Sequence, residues 1–228
     1  MISKAKRIAA SLPLLLQQEL KRWYFFIKIR TGHFKSEEPE YTFIDKYIKR
    51  SDWVLDIGAN IGHYTILFSR LAGPDGRVIA FEPVPETFDL LSTNVLRFQY
   101  RNVTLLNAAV SDCSACLGVE VPKFDSGLNN YYEAHLSKED SKLKVISLSI
   151  DSLCIPHPIS LIKIDVEGHE FSVLKGMICL LERDIPTLVI EGNSSEVDKL
   201  LSELGYSSKK LSRSPNKIFF HKSKALVA

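Results

Sequence analysis

The sequence predicts an α/β protein with a doubly wound, mainly parallel sheet and a C-terminal antiparallel hairpin. Three observations support this fold class. Short apolar runs alternate with segments of helical periodicity from Ser51 onward, repeated β–α units favour helices on both faces of a sheet, and the tail holds two strand-like runs. A chain of 228 residues has room for one sizeable domain, which we assign to residues 51–228.

Each element is assigned from apolar spacing and from the residues that end it. Strands are predicted where short apolar runs stand alone, and helices where apolar side chains recur every three or four residues. The predicted strands are 53–57, 77–82, 103–107, 161–165 and 187–191. The predicted helical stripes run from Ile61 to Leu71, Phe88 to Phe98, Phe171 to Leu181 and Val197 to Leu204. The runs "YSSKKL" and "NKIFFHKS" predict the closing hairpin.

Two regions depart from this alternation. Residues 113–160 contain runs of antiparallel character and are predicted to be an insertion that shapes a substrate pocket. Residues 1–50 predict a basic, amphipathic helical extension, because eight basic residues and only one acid, Glu19, precede Glu37. This extension is expected to pack on the core or on a second subunit, as in a homodimer. The alternative is peripheral attraction to anionic lipid at the inner face of a membrane.

Composition excludes several classes of protein. A net charge of +2 gives no global reason to expect a nucleic-acid partner. The four cysteines do not form a disulfide framework in a chain of this size, and the single C-x-x-C at Cys113 and Cys116 is a weak metal or redox signal. We therefore expect a reduced, cytoplasmic protein with small buried thiols. No segment approaches the ~20 apolar residues of a membrane span.

The stretch "DIGANIG" follows the first predicted strand and indicates a ligand loop. Asp56, Gly58, Asn60 and Gly62 lie at the carboxyl end of that strand, where ligands bind in such sheets. The spacing matches neither a dinucleotide fingerprint nor a Walker A loop. A carboxylate favours an ammonium, and free backbone amides favour a carboxylate, so the loop suits the amino-acid end of S-adenosylmethionine. The alternative is a tight strand-to-helix turn without a ligand.

Glu82 strengthens the nucleotide interpretation. It ends the second predicted strand, twenty residues after Gly62, where an acid can accept hydrogen bonds from both ribose hydroxyls. The alternative is a surface acid paired with Arg77 or Lys123.

Three longer stretches give the chain a family resemblance. "WVLDIGANIGHYTILFSRLAGPDGRVIAFEPVPETFDLL", "NVTLLNAAVSD" and "LIKIDVEGHEFSVLKG" resemble the FkbM-type S-adenosylmethionine-dependent methyltransferases, over about residues 53–206. The resemblance implies a Rossmann-like class I methyltransferase fold and O-methylation of a sugar, glycan or natural-product hydroxyl. It also implies positions along the cofactor: the methionine end at Asp56, Gly58, Asn60 and Gly62, the ribose at Glu82, and the adenine at Asn107, Ala108 and Asp112.

The motif "KIDVEGHE" supplies candidates for the chemistry. The methyl donor is already activated, so the protein has to align a hydroxyl and accept its proton. Asp165, followed by Glu167 or His169, is the expected base or substrate anchor. The alternative is that these residues only cap the following helix.

A metal site is the second hypothesis for this edge of the sheet. Asp165, Glu191 and Asn193 follow two predicted strands, and if those strands are neighbours their oxygens could bind Mg²⁺, as in the catechol-type O-methyltransferases.

Two alternative functions remain: methylation of RNA or protein, and a non-catalytic scaffold that binds the cofactor. We expect a small-molecule or glycan acceptor and no nucleic acid, because only the N-terminal segment is strongly basic.

Overall fold

The computed structural model describes residues 12–124, 129–137, 141 and 143–223. The parts of the predicted N-terminal extension, insertion and tail that fall at 1–11, 125–128, 138–140, 142 and 224–228 lie outside the described residues. In chain order the strands are β1 Trp53–Ile57, β2 Arg77–Phe81, β3 Val103–Leu106, β4 Ala109–Val110, β5 Ala115–Glu120, β6 His135–Ser137, β7 Leu143–Leu148, β8 Ile159–Ile164, β9 Thr187–Glu191, β10 Tyr206–Lys210 and β11 Asn216–His221. The helices are α1 Leu14–Arg30, α2 His63–Ala72, α3 Pro85–Val95, α4 Glu170–Lys175, α5 Ile178–Asp184 and α6 Ser195–Glu203.

The described residues form a seven-stranded main sheet in the order β10-β11-β9-β8-β1-β2-β3. Neighbouring strands are parallel except at β11, which runs antiparallel to both β9 and β10. The predicted doubly wound sheet with a C-terminal antiparallel hairpin is therefore confirmed. The chain leaves β1 toward β2 and β3, and later returns to the other side of β1 through β8. The loops after β1 and β8 thus meet at a topological switch point, where such sheets bind ligands.

Alternate strand residues pack against different helices. Leu55 and Ile162 belong to the larger core cluster, which includes side chains of α4, α5 and α6. Val54 and Leu161 belong to a second cluster with Tyr64 and other side chains of α2. This alternation follows from the two-residue repeat of a strand, and it leaves helices on both faces of the sheet.

The insertion supplies β5, β6 and β7 of a second, four-stranded sheet in the order β4-β7-β5-β6, and β4 precedes it in the chain. The expected antiparallel pairing is present, because β5 pairs with both β6 and β7 in that sense. Val84, just before α3, packs with Ala109, Val119 and Val145 in a small cluster of its own. The insertion therefore covers the end of the main sheet beside β2.

One predicted helix is two helices in the structure. The stripe from Phe171 to Leu181 is interrupted at Gly176, where a Cβ would lie 2.0 Å from the carbonyl oxygen of Ser111. The second helix, α5, has its own N-terminal partner: the Asp151 carboxylate accepts hydrogen bonds from the backbone of Cys179 and Leu180 at 3.0 Å. The close backbone contact at Gly176 accompanies the end of the first helix, and the Asp151 cap marks the start of the second. The periodicity of apolar residues predicts neither feature.

The expectation of buried thiols is wrong. Cys113, Cys116, Cys154 and Cys179 are all free and exposed. They lie at turns, a helix start and an insertion strand, where the side chains point away from both cores. No helix within the described ranges is long and apolar enough to cross a bilayer.

Helix α1 lies against α3. Phe25 and Ile29 pack on a cluster that contains Phe34 and Leu90, and Arg22 forms an ion pair with Asp89 of α3. Within the described part of the predicted N-terminal extension, α1 is thus docked through one face, whereas residues 31–50 form turns and two short 3-10 helices, Pro39–Thr42 and Ile44–Tyr47, in place of the expected α-helix.

Candidate active site

The loop after β1 is shaped by the chain's own packing. Gly58 has φ +81°, and a Cβ there would lie 1.7 Å from the carbonyl oxygen of Asp165. Gly62 has φ +98°, and a Cβ there would lie 2.8 Å from a methyl group of Leu91. Both positions therefore require glycine because of backbone conformation and crowding. Between them Asn60 also has a positive φ, +50°, and its side-chain oxygen accepts a hydrogen bond from the Ile61 amide at 2.8 Å.

Asp56 lies beneath this loop and does not line the cavity described below. It is 1% exposed, and its Oδ2 accepts a hydrogen bond from Thr65 Oγ1 at 2.6 Å. Burial raises the pKa of Asp56 to about 6, while Lys163 and Thr65 act in the opposite direction. Asp56 and Lys163 are direct partners in the register of β1 and β8. In this structure Asp56 supports the loop from below, and direct contact with an ammonium group stays a prediction.

Glu82 directly follows β2 and lines the cavity. Its Oε2 accepts a hydrogen bond from the Asn60 amide at 3.0 Å, and its Oε1 accepts one from the Val84 amide at 2.9 Å. Burial raises the pKa of Glu82 to about 7, although both amides stabilise the ionised form. Because a carboxylate has about four lone-pair sites, each oxygen can still accept a second hydrogen bond. The fixed carboxylate is suited to a pair of hydroxyl donors.

A buried lysine organises the end of β8. Lys163 is 2% exposed, and its Nζ donates to Asp165 Oδ2 at 2.6 Å. Burial acts to lower the pKa of Lys163, but Asp165 and Asp56 raise it above its ordinary value. The ammonium also lies 4.7 Å from the centre of the Tyr64 ring. The two carboxylates therefore favour the charged form of Lys163, which lies behind the site.

Asp165 and Glu191 behave as a pair with one proton. Burial acts to raise the pKa of Asp165, but Lys163 and a hydrogen bond with Glu191 hold it below its ordinary value. The same hydrogen bond and burial raise the pKa of Glu191 to about 9. The pair therefore shares a proton, and the Lys163 ammonium at 2.6 Å from Asp165 favours the charged form of Asp165 over that of Glu191.

Glu167 joins this pair. Carboxylate oxygens of Asp165, Glu167 and Glu191 all lie within 4.8 Å of one another. Burial and the negative charge of Asp165 raise the pKa of Glu167. Its backbone is in the left-handed region at φ +50°, followed by Gly168 at φ +95°. This turn directs the chain away from β8 and into α4.

These groups surround a cavity of about 260 Å³. The lining combines the ends of β1, β2, β8 and β9 with residues of the insertion, among them Tyr131 and His135. The described lining contains no lysine or arginine and five acidic side chains: Glu38, Glu82, Asp165, Glu167 and Glu191. Such a wall favours a cationic or neutral hydroxylated ligand over a polyanion.

Sequence reasoning missed Glu38. It precedes the domain, in a stretch without a motif, and reaches the cavity because Tyr64 OH donates to its Oε2 at 2.6 Å. Burial raises the pKa of Glu38. Burial and Glu38 also raise the pKa of Tyr64, so the hydroxyl stays protonated and donates. No local signal marks this pairing, because it depends on the fold of residues far apart in the chain.

Several predicted site residues do not line the cavity. Asn107 donates from Nδ2 to the carbonyl oxygens of Glu82 and Pro83, and so ties the end of β3 to that of β2. Asp112 pairs with Lys175 at 2.6 Å. His169 Nε2 lies 2.9 Å from Ser111 Oγ, while Asn193 is exposed beyond β9. Of the predicted adenine contacts only Ala108 is part of the lining.

The family assignment rests on a match across this region. The family model described as the methyltransferase FkbM domain matches residues 56–208, from Asp56 of β1 to the last main-sheet hairpin. The chain belongs to the FkbM methyltransferase family. The predicted family and the predicted methyltransferase activity are thereby confirmed.

Relatives of this FkbM-family enzyme support the assignment. Hexuronic acid methyltransferase AglP of Haloferax volcanii is 29% identical over 187 residues, which span 78% of this chain and 73% of that protein. Methyltransferase sdnD of Sordaria araneosa is 25% identical over 234 residues, spanning 85% of this chain and 89% of that protein.

A solved structure shows the same fold. The crystal structure of methyltransferase FkbM from Methylobacillus flagellatus aligns with a TM-score of 0.55 at 20% sequence identity. The alignment covers 75% of this chain and 44% of the Methylobacillus protein, so this chain spans less than half of that neighbour. The predicted Rossmann-like class I methyltransferase fold is confirmed.

Proposed function

We propose that this FkbM-family enzyme is an S-adenosylmethionine-dependent O-methyltransferase whose acceptor is a hydroxyl of a sugar, glycan or natural product. The proposal depends on one observation: Glu82 and Asp165 both line the same acidic cavity, at the switch point of the sheet. Glu82 is suited to the donor, and Asp165 is suited to the acceptor proton. The hexuronic acid methyltransferase of Haloferax supports a sugar acceptor by family likeness.

The donor would lie over the loop between β1 and α2. Glu82 would accept hydrogen bonds from the two ribose hydroxyls with the lone pairs that the Asn60 and Val84 amides leave free. The negative wall complements the sulfonium and ammonium charges of the donor. Gly58 and Asn60 would line its methionine end, and Ala108 would lie along its adenine.

Methyl transfer then requires one bond to form, one to break and one proton to move. Bound S-adenosylmethionine would supply the activated methyl group, with its sulfur as the leaving group and the acceptor oxygen as the nucleophile. Asp165, held ionised by Lys163, accepts the proton of the acceptor hydroxyl. Glu191, which carries its own proton, can donate a hydrogen bond and align the acceptor. Alignment of the reacting groups can account for about 7–11 kcal/mol of the barrier.

A bound Mg²⁺ ion is an alternative means of lowering the pKa of the acceptor hydroxyl. Asp165, Glu167 and Glu191 offer oxygen ligands of the kind Mg²⁺ prefers, and their close approach fits one ion. The predicted set included Asn193 in place of Glu167. An ion would have to displace the proton between Asp165 and Glu191 and compete with the Lys163 ammonium. If turnover is lost on exhaustive chelation and restored by Mg²⁺ alone, the metal-assisted alternative is favoured.

RNA is a poorer acceptor for this cavity. A nucleic-acid site needs basic residues around the reacting atom, whereas the described lining is acidic. The absence of lysine and arginine from that lining also disfavours other polyanionic acceptors.

A radiolabelled methyl-transfer screen tests the proposal. The full chain is incubated with methyl-tritiated S-adenosylmethionine and neutral sugars, uronic acids, glycans or RNA. We expect label in a sugar or glycan product that resists mild alkali, as an ether does and a methyl ester does not. Label that appears only in RNA, protein or an alkali-labile ester would contradict O-methylation of a hydroxyl.

A further inference from the structure

Helix α1 exposes an unusual amount of large apolar surface. Nine large hydrophobic side chains among the described residues are more than a third exposed, and six of them lie on this one helix. The six are Leu15, Leu16, Leu20, Trp23, Tyr24 and Ile27, with exposures between 51% and 76%. Isolated exposed apolar residues are ordinary, but a contiguous patch marks an interaction site.

Four of the exposed residues form a stripe opposite the docked face of the helix. Leu16, Leu20, Trp23 and Ile27 follow one another at intervals of four, three and four residues, which places them on one side. Phe25 and the Arg22–Asp89 ion pair hold the other side against the domain. The stripe is therefore presented outward by a helix that is already fixed to the protein.

Basic side chains accompany the stripe. Arg30 is exposed and Lys28 is half-buried in the last turn of α1. The single acid of the helix, Glu19, is paired with Arg22. Positive charge beside an apolar stripe is complementary to an anionic surface, whereas two copies of the same basic helix would repel each other.

We propose that the outer face of α1 is a docking surface for an anionic lipid bilayer, on which the helix lies in the plane of the interface. Large apolar side chains enter the boundary between headgroups and acyl chains, and lysine and arginine contact anionic headgroups. The helix has 17 residues and several charges, so it lies on the surface and does not span it.

The docked helix is close to the catalytic cavity. Lys21 Nζ lies 5.3 Å from the centre of the Tyr131 ring, and Tyr131 lines the cavity. Binding to lipid would therefore hold the cavity beside the bilayer, where a membrane-associated acceptor could reach it. The lipid contact itself does not depend on which acceptor is methylated.

Vesicle flotation with the full chain tests the proposal. We expect the protein to float with vesicles of phosphatidylglycerol and phosphatidylcholine, to float much less with phosphatidylcholine alone, and to be released by high salt. The double variant Leu20→Glu, Trp23→Glu should no longer float. The matched control Ile146→Glu changes an equally exposed apolar residue of the insertion and should float like the parent.

Two further measurements use conservative variants. One removes basic charge from α1, and the other reports how deeply Trp23 enters the bilayer. Lys28→Gln with Arg30→Gln should weaken binding to anionic vesicles roughly 30-fold, at about 1 kcal/mol per basic residue. Brominated lipids should quench the fluorescence of Trp23. The Trp23→Phe variant supplies the blank, because it retains only the second tryptophan of the chain, Trp53. The Trp53 ring stacks on the His157 ring, with the two ring centroids 4.3 Å apart.

Three outcomes would overturn the proposal. They are failure of the parent protein to float with anionic vesicles, unchanged flotation of the stripe variant, and a dimer in solution that the stripe variant converts to monomer. The last outcome would assign the stripe to a second copy of the chain. Affinity for S-adenosylhomocysteine, measured on the same samples, should be equal in all variants, so failure here leaves the proposed chemistry intact.

Discussion

At the scale of single residues, the charge state of the cavity is set from behind by Lys163. The Lys163 side chain is almost completely buried, and its ammonium donates a hydrogen bond to Asp165. Lys163 is also the register partner of Asp56 across β1 and β8. A buried cation of this kind keeps one carboxylate ionised while its neighbour Glu191 retains a proton. In the proposed mechanism these two adjacent acids have different roles, a proton acceptor and a hydrogen-bond donor.

Glu82→Gln should weaken the binding of S-adenosylhomocysteine about 10- to 150-fold. The substitution removes charge-assisted hydrogen bonds to the ribose, which are worth ~1.5–3 kcal/mol. Calorimetric titration of the full chain measures the affinity. Glu170→Gln is the matched control, because Glu170 is also buried and accepts a backbone hydrogen bond, from Gly168, but does not line the cavity.

The pH dependence of this affinity gives an independent check. Because burial raises the pKa of Glu82 to about 7, a proton blocks the carboxylate below that value. Affinity should rise as the pH increases through 7 and then level off, and the Glu82→Gln variant should lack this step. A parent profile without the step would contradict the ribose role.

Asp165→Asn should lower turnover by about 100- to 10,000-fold while leaving cofactor affinity nearly unchanged. The amide keeps the shape of the side chain but cannot accept the acceptor's proton. Methyl transfer under saturating donor is the measurement. The control is Asp198→Asn, which breaks an ion pair with Lys217 away from the cavity and should retain activity. Normal turnover in Asp165→Asn would remove Asp165 from the proton-transfer step.

Some site residues could be predicted because their position in the sequence already fixes their place. Glu82 and Asp165 directly follow strands of a parallel sheet, and the carboxyl ends of such strands share one edge. The inward position of Glu38 and the burial of Lys163 depend on long-range packing around Tyr64. His169 and Asp112 lie in the right segments, but they are turned toward Ser111 and Lys175.

At the scale of elements, the meeting of the loops after β1 and β8 is the critical contact. The amide of Asp165 donates to the carbonyl of Ile57 at 3.0 Å, which continues the parallel ladder to the edge of the cavity. Gly58 lies directly against this connection. The glycine that suggests a ligand loop is therefore needed first for joining two strands.

Gly58→Ala should destabilise the protein much more than Gly32→Ala. Both glycines have positive φ, so both variants incur ~1–2 kcal/mol of backbone strain. A Cβ at position 58 also collides with the Asp165 carbonyl, whereas nothing lies within 4 Å of the Cβ position at Gly32. Thermal denaturation should show a loss of roughly 2–8 °C for Gly32→Ala and a clearly larger loss for Gly58→Ala. Equal losses would contradict the close approach.

Most strands and helices of the main sheet follow from apolar periodicity alone. The interrupted helix shows where that signal fails. The apolar stripe continues across Gly176, whereas the α-helical conformation of the backbone stops at Lys175 and starts again at Ile178. In the insertion, the antiparallel character of the strands could be predicted, but their assembly into a separate sheet could not. Its strands are short and pair across long polar connections, so their partners are fixed only by tertiary packing.

At the scale of the whole molecule, opposite charges are segregated. The described cavity wall is acidic, while the N-terminal helix beside it is basic. A net charge of only +2 conceals this separation. An average composition can therefore exclude a general polyanion-binding surface and still be compatible with local attraction to an anionic bilayer.

The crowded carboxylates should make stability depend on pH. Glu191 has a folded-state pKa raised to about 9, and that of Glu82 is raised to about 7, against ~4.3 in an unfolded chain. Between pH ~4.3 and the raised pKa of each group, the folded state binds more protons than the unfolded state. The free energy of unfolding therefore falls as the pH rises through this range. His63, whose pKa is lowered to about 4 by burial, opposes this only below ~6.5.

We therefore expect the free energy of unfolding to decrease from pH 7 to about pH 8.5. Urea denaturation at several pH values measures the slope, which should be smaller in Glu191→Gln because that variant has no proton to lose. An identical slope in the parent and the variant would show that Glu191 is not the group responsible.

The most direct test of the central claim is equilibrium binding of S-adenosylmethionine to the purified full chain by calorimetry. One donor molecule should bind per chain, S-adenosylhomocysteine should compete for the same site, and Glu82→Gln should weaken both. If neither ligand binds folded protein, the acidic cavity is not a methyl-donor site and the proposed chemistry is contradicted.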